Sequence, residues 1–268
     1  MNLQDIYAPI SAELALIEGE LTKQVAPYRS LADTVPEYTR FIDKALTHLF
    51  QSKGKYLRSA LVMLAAKCAA DGRLRSPERF IRLAVAVELI HSASLVHDDV
   101  IDGSETRRNH PAVHEVFGNK IAILVGDILF SKSFTMLAGL GLEDHTLHTS
   151  ILTLFGEITQ SMCMGEIWEA RLRRSQGSPD KSEYYSIIEN KTALLMSASC
   201  YAGALLAAAP PEVSLALKDY GNYFGLAYQL ADDRQDGDSL YQVEGDQAAE
   251  ISRYVGKSHN SLRALKDS

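Results

Sequence analysis

Cysteine and proline are scarce in this 268-residue chain, and tryptophan occurs once. The three cysteines, Cys68, Cys163 and Cys200, are far apart, odd in number and set among apolar residues. That excludes a disulfide framework and a paired-cysteine zinc motif, and it predicts reduced, buried thiols in a cytoplasmic protein. Basic residues are not in excess either: 27 lysines and arginines against 34 aspartates and glutamates leave a formal charge of −7. A general nucleic-acid binder is therefore not expected, although basic groups can still cluster around an anionic ligand. The N-terminal stretch MNLQDIYAPISAELALIEGE is acidic and amphipathic, without the basic start and apolar block of a signal peptide. No uninterrupted apolar run approaches the roughly 18 residues that span a bilayer, so no transmembrane segment is expected. There is no Gly/Ser linker or low-complexity tract, and 46% of the residues are hydrophobic, so residues 1–268 read as one globular domain.

The eight prolines, at positions 9, 27, 36, 77, 111, 179, 210 and 211, leave long intervals rich in Ala, Leu, Glu and Met. These are strong helix formers, and proline is what would break them, so the pattern predicts an all-α protein. Helices are expected near 37–50, 57–70, 78–102, 119–139, 146–173, 181–208, 212–236 and 246–266, with DGRLRSPE, GSETRRNHP, SQGSPDK and APPE as the breaks. Two stretches, RLAVAVELIHSASLVHDDVID and KTALLMSASCYAGALLAAA, are apolar on nearly every face, which marks central helices enclosed by others.

The first of those helices ends in Asp98, Asp99 and Asp102. Residues four apart stack on one helical face with Cβ atoms about 5–6 Å apart, so Asp98 and Asp102 point together, while Asp99 lies about 100° away. Magnesium suits such a partial site, because it keeps several waters and is held by one or two carboxylates together with substrate phosphates. The plain alternative is a solvated acidic helix end. GLAYQLADDRQD then repeats the arrangement with Asp232, Asp233 and Asp236 after another apolar run. Two such clusters, facing each other across a cavity and bridged by several divalent ions and a diphosphate, would satisfy one another. Basic candidates for the phosphate oxygens are Lys55 and Arg58 in GKYLRS, expected on one helical face, and Arg107 and Arg108 in SETRRNHP. Arginine offers bidentate phosphate contacts, although either pair alone is more often a solvated surface feature.

In order along the chain, GKYLRS, LIHSASLVHDDVIDGSETRRNHPAVHEVFGNKIAILVGDILFSKSF, ENKTALL and YQLADDRQD resemble the motifs of the trans-isoprenyl diphosphate synthases, the polyprenyl synthetase family. The resemblance runs from residue 40 to Asp236. It implies helices around a deep central cavity, a homodimer, several magnesium ions, and condensation of isopentenyl diphosphate with an allylic diphosphate. Carried over by motif, Asp98, Asp102 and Asp232 are implied magnesium ligands, with Asp99, Asp233 and Asp236 as further acids of the reaction centre. Lys191, Thr192 and Gln229 join Arg107 at the allylic diphosphate, and Lys55, Arg58, His91 and Arg108 hold isopentenyl diphosphate. His91 has a plain alternative as a hydrogen-bonded core residue, and His97 is left unassigned.

The resemblance also bears on product length. Ala93 and Ser94 stand one turn before Asp98, where short-chain members place an aromatic ring. Two small residues there imply an open tunnel and a medium- to long-chain all-trans product, in the range of quinone side chains. Ile90 and then Val87 mark successive turns of about 5.4 Å, and Phe130 or Phe134 is a candidate floor, with plain core as the alternative. Ser59 departs from the family's usual GKxxRP proline. The region after residue 236, GDSLYQVEGDQAAEISRYVGKSHNSLRALKDS, lacks the expected lysine segment and Gly-Lys pair, so it reads as abbreviated or incomplete. Competing readings are a class I terpene cyclase, which the second DDxxD disfavours, and a non-catalytic or partner-dependent subunit of a prenyl synthase. A third is an HD-type metal phosphohydrolase built on His97 and Asp98 with help from His91, His110 or His114.

Overall fold

The computed structural model describes residues 3–25, 36–51, 53–175, 179–236, 246–263 and 265. In order, the elements are α1 (Leu3–Tyr7), a 3-10 turn (Ala8–Ile10), α2 (Ser11–Val25), α3 (Pro36–Phe50), α4 (Leu57–Ala69) and α5 (Pro77–Asp102). A short hairpin, β1 (Thr106–Arg107) and β2 (His110–Pro111), precedes α6 (Val113–Phe117) and α7 (Asn119–Ala138). Then come α8 (His145–Ser175), α9 (Lys181–Ile188), a π-helical segment (Glu189–Ala193), α10 (Leu194–Leu206), α11 (Pro211–Asp236) and α12 (Gln247–Arg263). The fold is all-α, as the proline spacing predicts. Pro36, Pro77 and Pro211 each open a helix, where the missing N–H would have had no partner in any case. The N-terminal helices and the hairpin were not among the expected elements, and the helix expected over 181–208 is interrupted by the π-helical segment. Residues 237–245, where the departure from the family pattern begins, lie outside the described residues.

Contacts divide the chain into two compact units: Met1–Ser59 with Ile81–Gly141, and Ala60–Phe80 with Leu142–Ser268. In the first unit α5 forms the core, with Leu83, Val87, Leu89, Ile90 and Ala93 wholly buried. This is the packing expected of a helix that is apolar all round. In the second unit α10 has that place, and α11 comes close to it through two glycines. A methyl group on Gly225 would stand 2.5 Å from Ala193 Cα, and one on Gly221 would stand 2.7 Å from the Met196 carbonyl oxygen. Only glycine permits that approach, which sets α11 against the π-helical segment.

Two expectations are corrected. Only Cys200 is buried, while Cys68 and Cys163 are exposed, because apolar neighbours in a helical sequence need not share the cysteine's face. By length and composition α5 and α7 could each cross a membrane, which a search for uninterrupted apolar runs overlooks, since a few polar residues lower the mean hydropathy of a helix only slightly. The most apolar window of α5 is 67% buried, as in a core helix, but that of α7 is only 39% buried. Ile123 and Leu124 of α7 are exposed.

Candidate active site

In the first unit α5 carries the acids out of the core. Asp98 is half-buried, Asp99 is buried and Asp102 is exposed, in keeping with the helical period. Asp99 Oδ1 accepts from Arg107 Nε at 2.9 Å and also from Arg107 Nη2. Arg107 lies on β1, and the hairpin turns at Arg108 and Asn109, whose φ angles of 51° and 65° are the left-handed pair that a two-residue type I′ turn needs. An arginine held there costs about 1–3 kcal/mol, a strain of the kind that collects at ligand sites. The Arg108 guanidinium lies over Gly54, where a methyl group would come within 3.0 Å of both terminal nitrogens. A narrow cleft beside these groups is lined by Ser92, Leu95, Asp99, Arg107, Arg108 and His48.

GKYLRS therefore meets Arg108, but not as one helical face. Lys55 stands in the connector before α4, exposed, with its carbonyl accepting from the Tyr7 hydroxyl at 2.6 Å. The left-handed Tyr56, φ 50°, separates it from the helix that carries Arg58, which corrects the shared-face expectation. Ser59, at the family's proline position, donates to the Ala84 carbonyl at 2.9 Å and lies 3.1 Å from Glu88 Oε2. Burial raises the Glu88 pKa, opposed by Arg58, Ser59 and Arg108. Sequence reasoning passed over Glu88, although an acid inside an apolar helix one turn before His91 was a usable signal.

Arg58 Nη1 donates to His91 Nε2 at 3.0 Å. Burial, then the guanidinium groups of Arg58, Arg108 and Arg107, push the His91 pKa well below the ordinary 6.5, so the ring is neutral at neutral pH. As pH falls below about 6.5 the unfolded chain takes up a proton that the folded chain refuses, so stability drops. Urea midpoints measured between about pH 7.5 and 5.5 are expected to fall, and His91→Gln to remove up to about 1.4 kcal/mol per pH unit of that slope. Identical slopes in the two proteins would refute this protonation state. His97 Nε2 donates to the Ile123 carbonyl at 3.0 Å, and the ring fills the space left by Gly126. His114 Nε2 lies 3.1 Å from Glu115.

Of the length-setting candidates, Ala93, Ile90 and Val87 are wholly buried. The half-buried Ser94 donates from Oγ to the His91 carbonyl at 2.9 Å. Phe130 packs against the His97 ring with centroids 5.7 Å apart, and Phe134 is half-buried.

In the second unit, Asp232 is exposed and Asp233 half-buried, while Asp236 closes α11 with its side chain outside the described residues. Both oxygens of Asp233 have protein donors: Tyr184 Oη at 2.6 Å and Gln229 Nε2 at 2.7 Å. Burial raises its pKa, these two hydrogen bonds oppose the rise, and Asp232 and Glu169 add to it. Thr192 Oγ1 donates to Gln229 Oε1 at 2.7 Å. Thr192 and Lys191 sit on the π-helical segment, a distortion frequent at functional sites. Lys191 Nζ lies 2.6 Å from Glu166 and 2.5 Å from Glu169 on α8, and Gly165 gives it passage. Burial alone would lower the Lys191 pKa, but the two glutamates raise it above the ordinary lysine value. Glu166, Glu169 and Tyr184 were missed from sequence. The spacing of Met162, Gly165, Glu166 and Glu169, all on the buried face of α8, carried the signal for the two acids.

Among the described residues, no group of three acids, histidines or cysteines could hold an ion by itself. In each motif the second aspartate is taken by protein donors. Asp98 and Asp102 in the first unit, and Asp232 in the second, stand at more exposed positions than Asp99 and Asp233 beside them. A carboxylate pair such as Asp98 and Asp102 fits magnesium, which takes one or two carboxylates and completes its shell with phosphate oxygens and water.

Apolar helices that end in paired aspartate motifs, in an all-α setting, define an isoprenoid-synthase-type protein. A family profile described as Polyprenyl synthetase matches residues 39–250, and the chain belongs to that family. It is 37% identical over 233 residues to the heptaprenyl diphosphate synthase component 2 of Geobacillus stearothermophilus, covering 87% of this chain and 66% of that one. It is also 37% identical over 202 residues to the geranylgeranyl diphosphate synthase of Methanosarcina mazei, covering 75% and 60%. The chain thus spans 60–66% of the length of these relatives. A solved polyprenyl synthase from Caulobacter crescentus, complexed with calcium and isoprenyl diphosphate, matches with a TM-score of 0.75 at 26% identity, over 99% of this chain and 88% of that one.

Proposed function

We propose that the chain is a magnesium-dependent trans-prenyltransferase that extends an allylic diphosphate with isopentenyl diphosphate to a medium- or long-chain all-trans polyprenyl diphosphate. One observation carries the reading. In both DDxxD motifs the inner aspartate is fixed by the protein, Asp99 by Arg107 and Asp233 by Tyr184 and Gln229, and each fixed acid adjoins a more exposed one. Asp98, Asp102 and Asp232 then serve as the metal ligands, and bound magnesium neutralises the diphosphate that leaves as the allylic C–O bond breaks. Arg58 and Arg108, gathered with His91 and flanked by Lys55, suit a second diphosphate, that of the isopentenyl partner. Its double bond attacks the allylic carbon, and the proton then lost goes to the departed diphosphate. No side-chain nucleophile is required, which accounts for a site made of acids, cations and amides. The apolar length of α5 before its aspartates supplies a wall that excludes water from the cation.

The small Ala93 and Ser94 support a medium- to long-chain product, one suited to quinone side chains. Two relatives of equal identity are named for different lengths, heptaprenyl and geranylgeranyl, so overall similarity does not choose between them. The exposed Ile123 and Leu124 on α7 support association with a second copy of the chain. A second reading, a partner-dependent subunit, draws on the "component 2" in the name of the Geobacillus relative. One experiment separates them: the purified chain is incubated with magnesium, labelled isopentenyl diphosphate and allylic primers of several lengths, and the dephosphorylated products are resolved. A magnesium-dependent ladder extending past twenty carbons is expected. Activity that appears only when a second protein is added would establish the subunit reading, and no extension under either condition would defeat both.

A further inference from the structure

The second aspartate motif is braced by a tyrosine that lies outside the sequence motifs. Helix α9 begins at a capping box: the Asp180 side chain accepts from the Glu183 N–H at 2.9 Å, and the Glu183 side chain accepts from the Asp180 N–H at 3.0 Å. That start fixes the phase of the helix, and Tyr184 falls on its inner side, 2% exposed, in a core with Ile188, Ala193, Leu226 and Leu230. From there its hydroxyl reaches Asp233 Oδ2 at 2.6 Å. The chain continues from Asp233 Oδ1 to Gln229 Nε2 and from Gln229 Oε1 to Thr192 Oγ1, each at 2.7 Å. Its sense is determined, because a carboxylate only accepts: Gln229 must turn its amide nitrogen to Asp233 and its carbonyl oxygen to the Thr192 hydroxyl.

We propose that Tyr184 is a positioning residue for the magnesium–diphosphate site, acting through Asp233; the assignment rests on the prenyltransferase reading above. The phenol does two things. It occupies the second oxygen of Asp233, so this carboxylate stays turned into its own unit and does not compete with Asp232 for the cation. By fixing Asp233 it also fixes Gln229, whose second amide N–H is then left for a phosphate oxygen. Without the phenol, Oδ2 loses its donor, Asp233 can rotate, and the orientation of Gln229 and Thr192 is no longer determined.

Tyr184→Phe keeps the ring in its core and removes only the donor. The magnesium dependence of binding is read by calorimetry with an allylic thiolodiphosphate, an analogue that does not ionise, beside kcat, the KM for isopentenyl diphosphate and the thermal midpoint. The magnesium concentration for half-saturation is expected to rise about tenfold or more, the loss of one charge-assisted hydrogen bond. kcat should fall and the KM for isopentenyl diphosphate should change little, with the thermal midpoint lowered no further than when Asp233→Ala breaks the same link. In an Asp233→Asn background, Tyr184→Phe should add almost nothing, because both changes break the same link. An unchanged magnesium requirement in Tyr184→Phe would overturn the assignment alone. So would a lowered thermal midpoint with equal losses in every kinetic parameter, since the phenol would then serve folding only. A wild-type chain with no magnesium-dependent binding of the analogue overturns the prenyltransferase reading, and this assignment with it.

Discussion

Replacing Asp98 or Asp232 by alanine is expected to lower turnover by about three orders of magnitude or more, equivalent to at least about 4 kcal/mol of transition-state stabilisation. The thermal midpoint should hardly move, because removing one of several neighbouring carboxylates relieves repulsion in the metal-free protein. The inner aspartates should behave differently. Asp99→Ala takes the carboxylate away from Arg107, and Asp233→Ala leaves the buried Tyr184 hydroxyl without its acceptor, so each should also cost about 1–3 kcal/mol of stability. The four variants, compared by turnover and by urea unfolding, should fall into two classes: inactive and stable for the outer acids, impaired and destabilised for the inner ones. Near-normal turnover in Asp98→Ala and Asp232→Ala would remove them from the metal site, and a uniform loss of stability across all four would erase the distinction between outer and inner acids.

That distinction was half legible in the sequence. The helical period alone separates Asp99 from Asp98 and Asp102, and the structure agrees, with Asp99 buried and Asp102 exposed. Which side chain satisfies the inward acid was not legible for Asp233, since Tyr184 is 49 residues away. The helices fared best, because proline placement and unbroken runs of helix formers act locally. The interruption of the helix over 181–208 did not show, because the π-helical segment contains no glycine or proline to announce it. Its position against Gly225 of α11 shows where the cause lies, in packing between elements distant in sequence. Lys55 misled for a related reason. Read on a helical repeat it shares a face with Arg58, but the left-handed Tyr56 ends the repeat before α4 begins.

Lys191, proposed for the allylic diphosphate, also holds its unit together, and replacing it should have the largest effect on stability. Its ammonium group lies between Glu166 and Glu169, whose side chains are only 9% and 8% exposed, and Arg173 also supports Glu169, from 2.7 Å. Among the described residues, Lys191→Met therefore leaves Glu166 buried without a cationic partner and Glu169 with one where it had two. Breaking a buried pair from one side costs about 3–5 kcal/mol, and the partial exposure of Lys191 argues for the lower end. Urea unfolding of Lys191→Met at neutral pH should show a loss of about 3 kcal/mol. The loss should shrink in acid: Lys191 and Arg173 hold the Glu169 pKa below its ordinary value despite burial, so the stabilisation that ionised Glu169 gives the wild type disappears as pH falls through that lowered range. Adding Glu166→Gln and Glu169→Gln to Lys191→Met removes the orphaned charges and should restore most of the stability. It should not restore turnover if the ammonium group also contacts the allylic diphosphate. A triple variant as unstable as Lys191→Met would show that the two glutamates are not what makes the lysine necessary to the fold, and one that regains full turnover would remove Lys191 from the diphosphate site.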